Sequence, residues 1–244
     1  MLRFYIGRIP VGIHFTFLFV LWIAYTYFND VTQAVLAGIG ILVGIVVHEL
    51  GHALTARRFG AKQVSITLFA LGGVTTYPPP PGLTPGRRFL TAAAGSALAF
   101  AVGVPVFLLR EPLLDNRTLE PIVVGFLIAT LFWGVLNWVP IRPLDGGQML
   151  TSALQIVMPD RGAMVAKVIS VVFAAAAVTW LYQSGQEFAA LYVGFIAFVG
   201  LRDDPESVQP GDQRGGQDRA PAAGELPQVS EDEEARYEPP EFPL

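Results

Sequence analysis

The stretch IVVHELGHAL, residues 45–54, sets two histidines and a glutamate in the middle of an apolar run of the kind that suits lipid. Ionisable groups at such depth are costly unless a partner, a metal ion or a water-filled cavity stabilises them, which makes them functional candidates by default. HELGH has the form HExxH. Helix positions four apart share a face one turn apart, so His48 and His52 can ligate one metal ion. Glu49, about 100° further round the helix, can hold a water at that metal instead.

The surroundings fit a membrane. The 244-residue chain is 52% hydrophobic and 15% charged, with a mean hydropathy of +0.49. Its apolar residues come in runs of about twenty, the length a spanning helix needs. Six runs are predicted to span: roughly 12–28, 34–57, 88–109, 121–140, 164–182 and the shorter 187–200. The third contains Pro105, which a helix packed among others tolerates. Arg3 and Arg8 precede the first run and no small-residue cleavage site follows it, so a retained span is expected. The absence of cysteine excludes disulfides, thiolate metal sites and a cysteine nucleophile.

Charge divides the chain in two. Residues 201–244 hold 12 Asp and Glu against 4 Arg, a net of −8, whereas residues 1–200 hold 8 acidic against 12 basic residues, a net of +4. With seven of the 19 prolines and almost no apolar periodicity, 201–244 is expected to be a disordered acidic tail on a membrane domain spanning 1–200. The tail is a candidate docking segment for a regulatory protein, and nothing points to a nucleic-acid partner. Given these spans, Arg3, Arg8, Arg57, Arg58, Lys62, Arg87, Arg88, Arg142, Arg161, Lys167 and Arg202 fall on one side. Only Arg110 and Arg117 fall on the other. The positive-inside rule then makes both termini cytoplasmic, as an even number of spans requires. His48 lies about 20 Å along the second span, in the cytoplasmic half of a multi-pass cell-membrane protein. Two lysines against 14 arginines hint at a GC-rich prokaryotic genome.

Of the eight acidic residues in 1–200, six fall in loops or at span ends, leaving Glu49 and Asp145. A catalytic zinc takes three protein ligands and keeps a fourth position open. The third histidine, His14, sits near the end of the first span, so Asp145 is the better third ligand. It lies in NWVPIRPLDGG, residues 137–147, where Pro140 and Pro143 interrupt regular helix and Gly146 and Gly147 relax the backbone. Gly40, Gly44 and Gly51 lie on the histidine side of the second span, suited to close helix packing or to room for a substrate backbone. Residues 62–81, KQVSITLFALGGVTTYPPPP, are rich in β-branched and aromatic residues and end in a proline run. They predict a β-hairpin at the membrane interface, with Gly72-Gly73 as the turn. The expected fold is therefore an all-α polytopic membrane protein of six transmembrane helices, with a short membrane-associated β-hairpin between the second and third.

HELGH together with Asn137, Pro140 and Leu144-Asp145-Gly146, an N-x-x-P-x-x-x-L-D-G arrangement, resembles the site-2 proteases, zinc metalloproteases that cut within the membrane. The resemblance runs from about residue 8 to 200 and looks most like the compact six-span branch without PDZ or CBS domains. It implies one Zn2+ per chain held by His48, His52 and Asp145, with Glu49 as general base and Asn137 positioning substrate or stabilising the oxyanion. It also implies a transmembrane protein substrate in the lipid bilayer, cut in regulated intramembrane proteolysis. The hairpin would hold that substrate by strand addition, with Leu71, Gly72, Gly73 and Val74 as candidate substrate-binding residues. One departure stands out. The family usually has Gly-Pro followed three residues on by Asn, where this chain has Gly95, Ser96 and Ala99.

Two other classes share the motif. A zinc transporter generally adds ligands along a path through the bilayer, whereas here they cluster at one end of two spans. A structural zinc site usually fills four protein positions, and only three good ligands are present.

Overall fold

The computed structural model describes residues 1–70 and 72–202. The acidic segment expected to form a disordered tail lies outside the described residues beyond Arg202. The chain begins with two strands, β1 (Leu2–Ile6) and β2 (Ile9–Ile13). A 3-10 turn at Phe15–Phe17 leads into helix α1 (Leu18–Phe28), followed by α2 (Val31–Arg58). Strands β3 (Ser65–Phe69) and β4 (Gly72–Thr76) precede α3 (Pro85–Leu108). After a single turn at Glu111–Leu114 come α4 (Leu119–Leu136), α5 (Asp145–Val157), α6 (Gly162–Gln183) and α7 (Glu187–Arg202).

Four of these helices, α2, α3, α4 and α6, are long and apolar enough to cross a membrane. The first and sixth predicted spans are shorter, an apolar helix over Phe15–Phe28 and the 16 residues of α7. Outward-facing Trp22, Tyr25, Phe173, Trp180, Phe195 and Phe198 are all at least 42% exposed. An apolar surface on that scale suits lipid better than water.

Helix ends follow local chemistry. The Asp30 carboxylate accepts from the Gln33 N–H at 2.8 Å to cap α2, whose last turn carries Arg57 and Arg58 against the helix dipole. Thr84 caps α3 by accepting from the Arg87 N–H at 3.3 Å, and Pro85 takes the first helical position, where its missing N–H costs nothing.

The structure corrects the all-α expectation. The hairpin expected between the second and third spans belongs to a four-stranded sheet of order β1-β2-β3-β4. The β1–β2 and β3–β4 pairs are antiparallel and β2–β3 is parallel, in register Val11↔Ile66. A parallel pair needs a long crossover, which α1 and α2 supply. The β3–β4 reversal falls between Phe69 and Gly72, so the Gly-Gly pair opens β4 instead of forming the turn. Residues 9–13, partly counted in the first apolar run, are strand because Gly7, at φ +61, lets the chain reverse between Ile6 and Ile9. Buried Ile9, Val11, Ile66 and Leu68 of the sheet share one core with Ile45, Val46, Ala53 and Ala56 of α2.

Helix α2 is the central element, packed against α1, α3, α4 and the sheet. Its glycines let neighbours approach. A Cβ on Gly40 would meet the Ile122 carbonyl, one on Gly51 the Ala94 carbonyl, and one on Gly44 would lie 2.6 Å from the Ala129 Cβ. Small-residue packing of this kind drives helix association in lipid.

Gly44→Val should therefore destabilise the fold by about 1–3 kcal/mol through overpacking, read as a lower thermal midpoint in detergent. Gly86→Ala, with nothing within 4 Å of an added Cβ, should leave that midpoint unchanged or raise it.

Candidate metal centre

His48 and His52 project from one face of α2, and both are buried, at 3% and 8% exposure. Asp145 reaches them from the first turn of α5, with its side chain 12% exposed. The chain from Asn137 to Leu144 makes this meeting. Helix α4 ends at Leu136, and the segment folds back so that the Gly146 N–H donates to the Asn137 carbonyl at 2.6 Å. Two glycines make that turn compact. A Cβ on Gly146 would strike the Trp138 and Val139 carbonyls, and one on Gly147 would lie 2.6 Å from the Arg142 nitrogen.

The distances are those of a metal-ligand set. His48 Nε2 lies 3.0 Å from Asp145 Oδ2 and 3.1 Å from His52 Nε2, and His52 Nε2 lies 3.3 Å from the same carboxylate oxygen. Tetrahedral ligands bound at about 2.0–2.1 Å are about 3.3–3.4 Å apart, so the three atoms nearly outline one face of that polyhedron. The hydrogen bond of the second histidine fits the same reading. His52 Nδ1 faces the Thr91 carbonyl, an acceptor, at 2.7 Å, so in the neutral ring Nε2 is the nitrogen that offers a lone pair to the centre. A hydrogen on His48 Nε2 could satisfy only one of its neighbours, whereas a cation satisfies all three atoms. The Thr91 carbonyl is the outer partner that typically orients a ligating imidazole. His48 Nδ1 is buried without a partner.

The other predicted residues are distributed around this centre. Asn137 Nδ2 lies 3.2 Å from His48 Nε2, bringing an amide to the edge of the site. Glu49 is 5% exposed and faces β4. The Thr75 hydroxyl donates to its Oε2 at 2.7 Å, and a Cβ on Gly73 would lie 2.6 Å from its Cγ. Gly72, at φ +130, stands near the Trp133 indole, and Val74, which like Gly72 lies on the face of the strand away from Glu49, is 45% exposed. Leu71 lies outside the described residues. His14 takes no part in the metal group. Its Nδ1 accepts from the Thr16 N–H at 3.4 Å as a cap before α1.

Several contributors escape sequence reasoning. The Thr91 group is a backbone carbonyl, which no residue type announces. Gly95 lies directly under His52, where a Cβ would collide with the imidazole Nε2. Gly95 and Ser96 stand where the family pattern has Gly-Pro, and the Ser96 hydroxyl ties α3 to α4 by donating to the Gly134 carbonyl at 3.1 Å. Within α4, Ile128–Phe132 form a π-turn, whose extra residue rotates the following segment, Asn137 included.

Gly95→Ala places a methyl group against His52 Nε2 and should lower bound divalent metal, measured by elemental analysis of purified protein. The same change at Gly86, in the same helix, should leave the metal content as it was.

Comparison with known proteins agrees with this geometry. A profile described as Peptidase family M50 matches residues 36–111, the segment containing HELGH. The chain is 29% identical over 153 residues to zinc metalloprotease MJ0392 of Methanocaldococcus jannaschii, covering 62% of this chain and 44% of that protein. It is 30% identical over 169 residues to putative zinc metalloprotease Rip3 of Mycobacterium tuberculosis, covering 61% and 43%. The matches thus span less than half the length of these relatives. The solved structure of a site-2 protease from Methanocaldococcus jannaschii superposes with a TM-score of 0.59 at 23% identity, over 82% of this chain and 94% of that one, a likeness of fold. The motif helix and its surroundings thus match the profile of peptidase family M50 over residues 36–111, and the fold is like that of a solved site-2 protease.

Proposed function

We propose that this protein is a zinc-dependent metalloendopeptidase that hydrolyses peptide bonds within or beside transmembrane segments of membrane-protein substrates, in regulated intramembrane proteolysis. The observation that carries this is the convergence of His48, His52 and Asp145, whose ligand atoms lie within 4.8 Å of one another among apolar helices. Three protein ligands leave one coordination position for chemistry, as catalytic zinc sites do and structural ones do not. The relatives' description as zinc metalloproteases supports zinc as the ion. Bound there, zinc would supply Lewis acidity, acidifying the attacking water and polarising the scissile carbonyl.

The chain's own groups divide the remaining work. Glu49, one position after His48 and therefore about 100° round the helix, takes the water's proton and passes it to the leaving amine. Asn137 offers its side-chain N–H beside His48, where a developing oxyanion needs a donor. A helical substrate hides its peptide bonds in its own hydrogen bonds and must unwind before attack. The edge of β4 at Gly72–Val74 replaces those lost partners by strand addition. The clustering of Arg57, Arg58, Lys62, Arg87, Arg88 and Arg142 at one end of the helices supports a site in the cytoplasmic half of the bilayer, where water reaches it.

Glu49→Gln should keep stoichiometric zinc and lose cleavage of a single-span substrate by about 10²-fold or more. His52→Ala and Asp145→Ala should lose both. Wild-type cleavage by the Gln variant would end this assignment of roles.

A further inference from the structure

We infer that Thr75 is a positioning residue for the catalytic base: strand β4 holds the Glu49 carboxylate in its working orientation through the Thr75 hydroxyl. This rests on the proteolytic function proposed above and adds a residue to it.

The observation is a two-sided clamp. Thr75 Oγ1 lies 2.7 Å from Glu49 Oε2 and 3.1 Å from the Glu49 carbonyl, and the shorter bond goes to the carboxylate. On the other side, the bare backbone of Gly73 faces the same group. An added Cβ would sit 2.8 Å from Oε1 and 2.9 Å from the carboxylate carbon. Strand periodicity puts residues 73 and 75 on one face, and Val74 between them points away at 45% exposure.

The clamp is anchored. Thr75 pairs with Ile66 of β3 and Gly73 with Leu68, and those two side chains are 1% and 0% exposed in the core shared with α2. Threonine is stiff about χ1, so its hydroxyl direction follows the strand backbone. A glutamate on a helix otherwise has three side-chain torsions to explore. A catalytic group needs its geometry held to within about 0.5 Å and 10–20°. Thr75 supplies that restraint through the contact of its hydroxyl with the Glu49 carboxylate. The strand proposed to receive substrate along its edge is thus the strand that aims the base, so a docked substrate and Glu49 share one frame.

The test compares wild type, Thr75→Val, Thr75→Ser and Glu49→Gln in detergent on one single-span reporter, reading kcat, KM, zinc content and thermal midpoint. Thr75→Val keeps the shape and removes the donor. It should lower kcat by about 10–100-fold, with KM within about twofold and zinc and midpoint as in wild type. Thr75→Ser restores the donor and should recover most of kcat. The inference is overturned by a Val variant with wild-type kcat, a Ser variant as slow as Val, a loss confined to KM, or a loss accompanied by departure of zinc or a fall in midpoint. A wild type that does not cleave, or a Glu49→Gln that does, would sink the proteolytic function and this role with it. An inactive Glu49→Gln beside a fully active Thr75→Val would sink the role of Thr75 alone.

Discussion

The structure depends on one electrostatic constraint. Two imidazoles and a carboxylate are buried in an apolar helical frame, and each is tolerable there only because the others, or a cation among them, offset its desolvation. His48 and His52 come from α2 and Asp145 from the start of α5, so this cluster links segments about ninety-five residues apart. Removing one member leaves the rest as unpaired polar groups in an apolar setting. Most of the architecture around the cluster serves to deliver these three side chains to one point.

Delivery requires backbones closer than ordinary side chains permit. The glycines of α2 bring α3 and α4 against it, Gly95 leaves room for the His52 ring, and Gly146 and Gly147 tighten the turn that presents Asp145. The same closeness lets a backbone carbonyl, that of Thr91, orient His52, a proposed metal ligand. Small residues at these positions therefore serve association and chemistry together. A methyl group added at Gly95 meets the ligand before it meets the neighbouring helix.

How much of this was legible in the sequence varied with the kind of signal. The HExxH spacing and the isolation of Glu49 and Asp145 among apolar residues identified the metal group, because charge at membrane depth is rare and helical geometry is regular. Asn137 was reached only through the family resemblance. The N-terminal hairpin was missed because Ile9–Ile13 runs straight into the apolar residues of α1, and hydropathy does not distinguish a buried strand from the start of a span. The β3–β4 hairpin was expected, but its turn was placed on Gly72-Gly73, since Gly-Gly usually marks a reversal. Here those glycines open the strand because β4 passes close to Glu49 and Trp133. Thr91, Gly95 and Thr75 carry no signal by type, since each acts through a carbonyl, an absence of volume or an ordinary strand hydroxyl.

The sheet explains why a small β element accompanies these helices. Helix α2 alone fixes the positions of His48 and His52, which need only one helix face, but Glu49 points about 100° away from that face. Towards lipid, a carboxylate would be unsatisfied and could not play the part of base proposed for it. Strand β4 covers that direction, donates a hydroxyl to the carboxylate and does so from a sheet whose buried face is continuous with the packing of α2. The crossover from β2 through α1 and α2 to β3 makes the motif helix part of the sheet's own topology. A helix cannot turn relative to strands that it connects and packs against without breaking the shared core, so the metal-binding face and the strand covering Glu49 hold a common register.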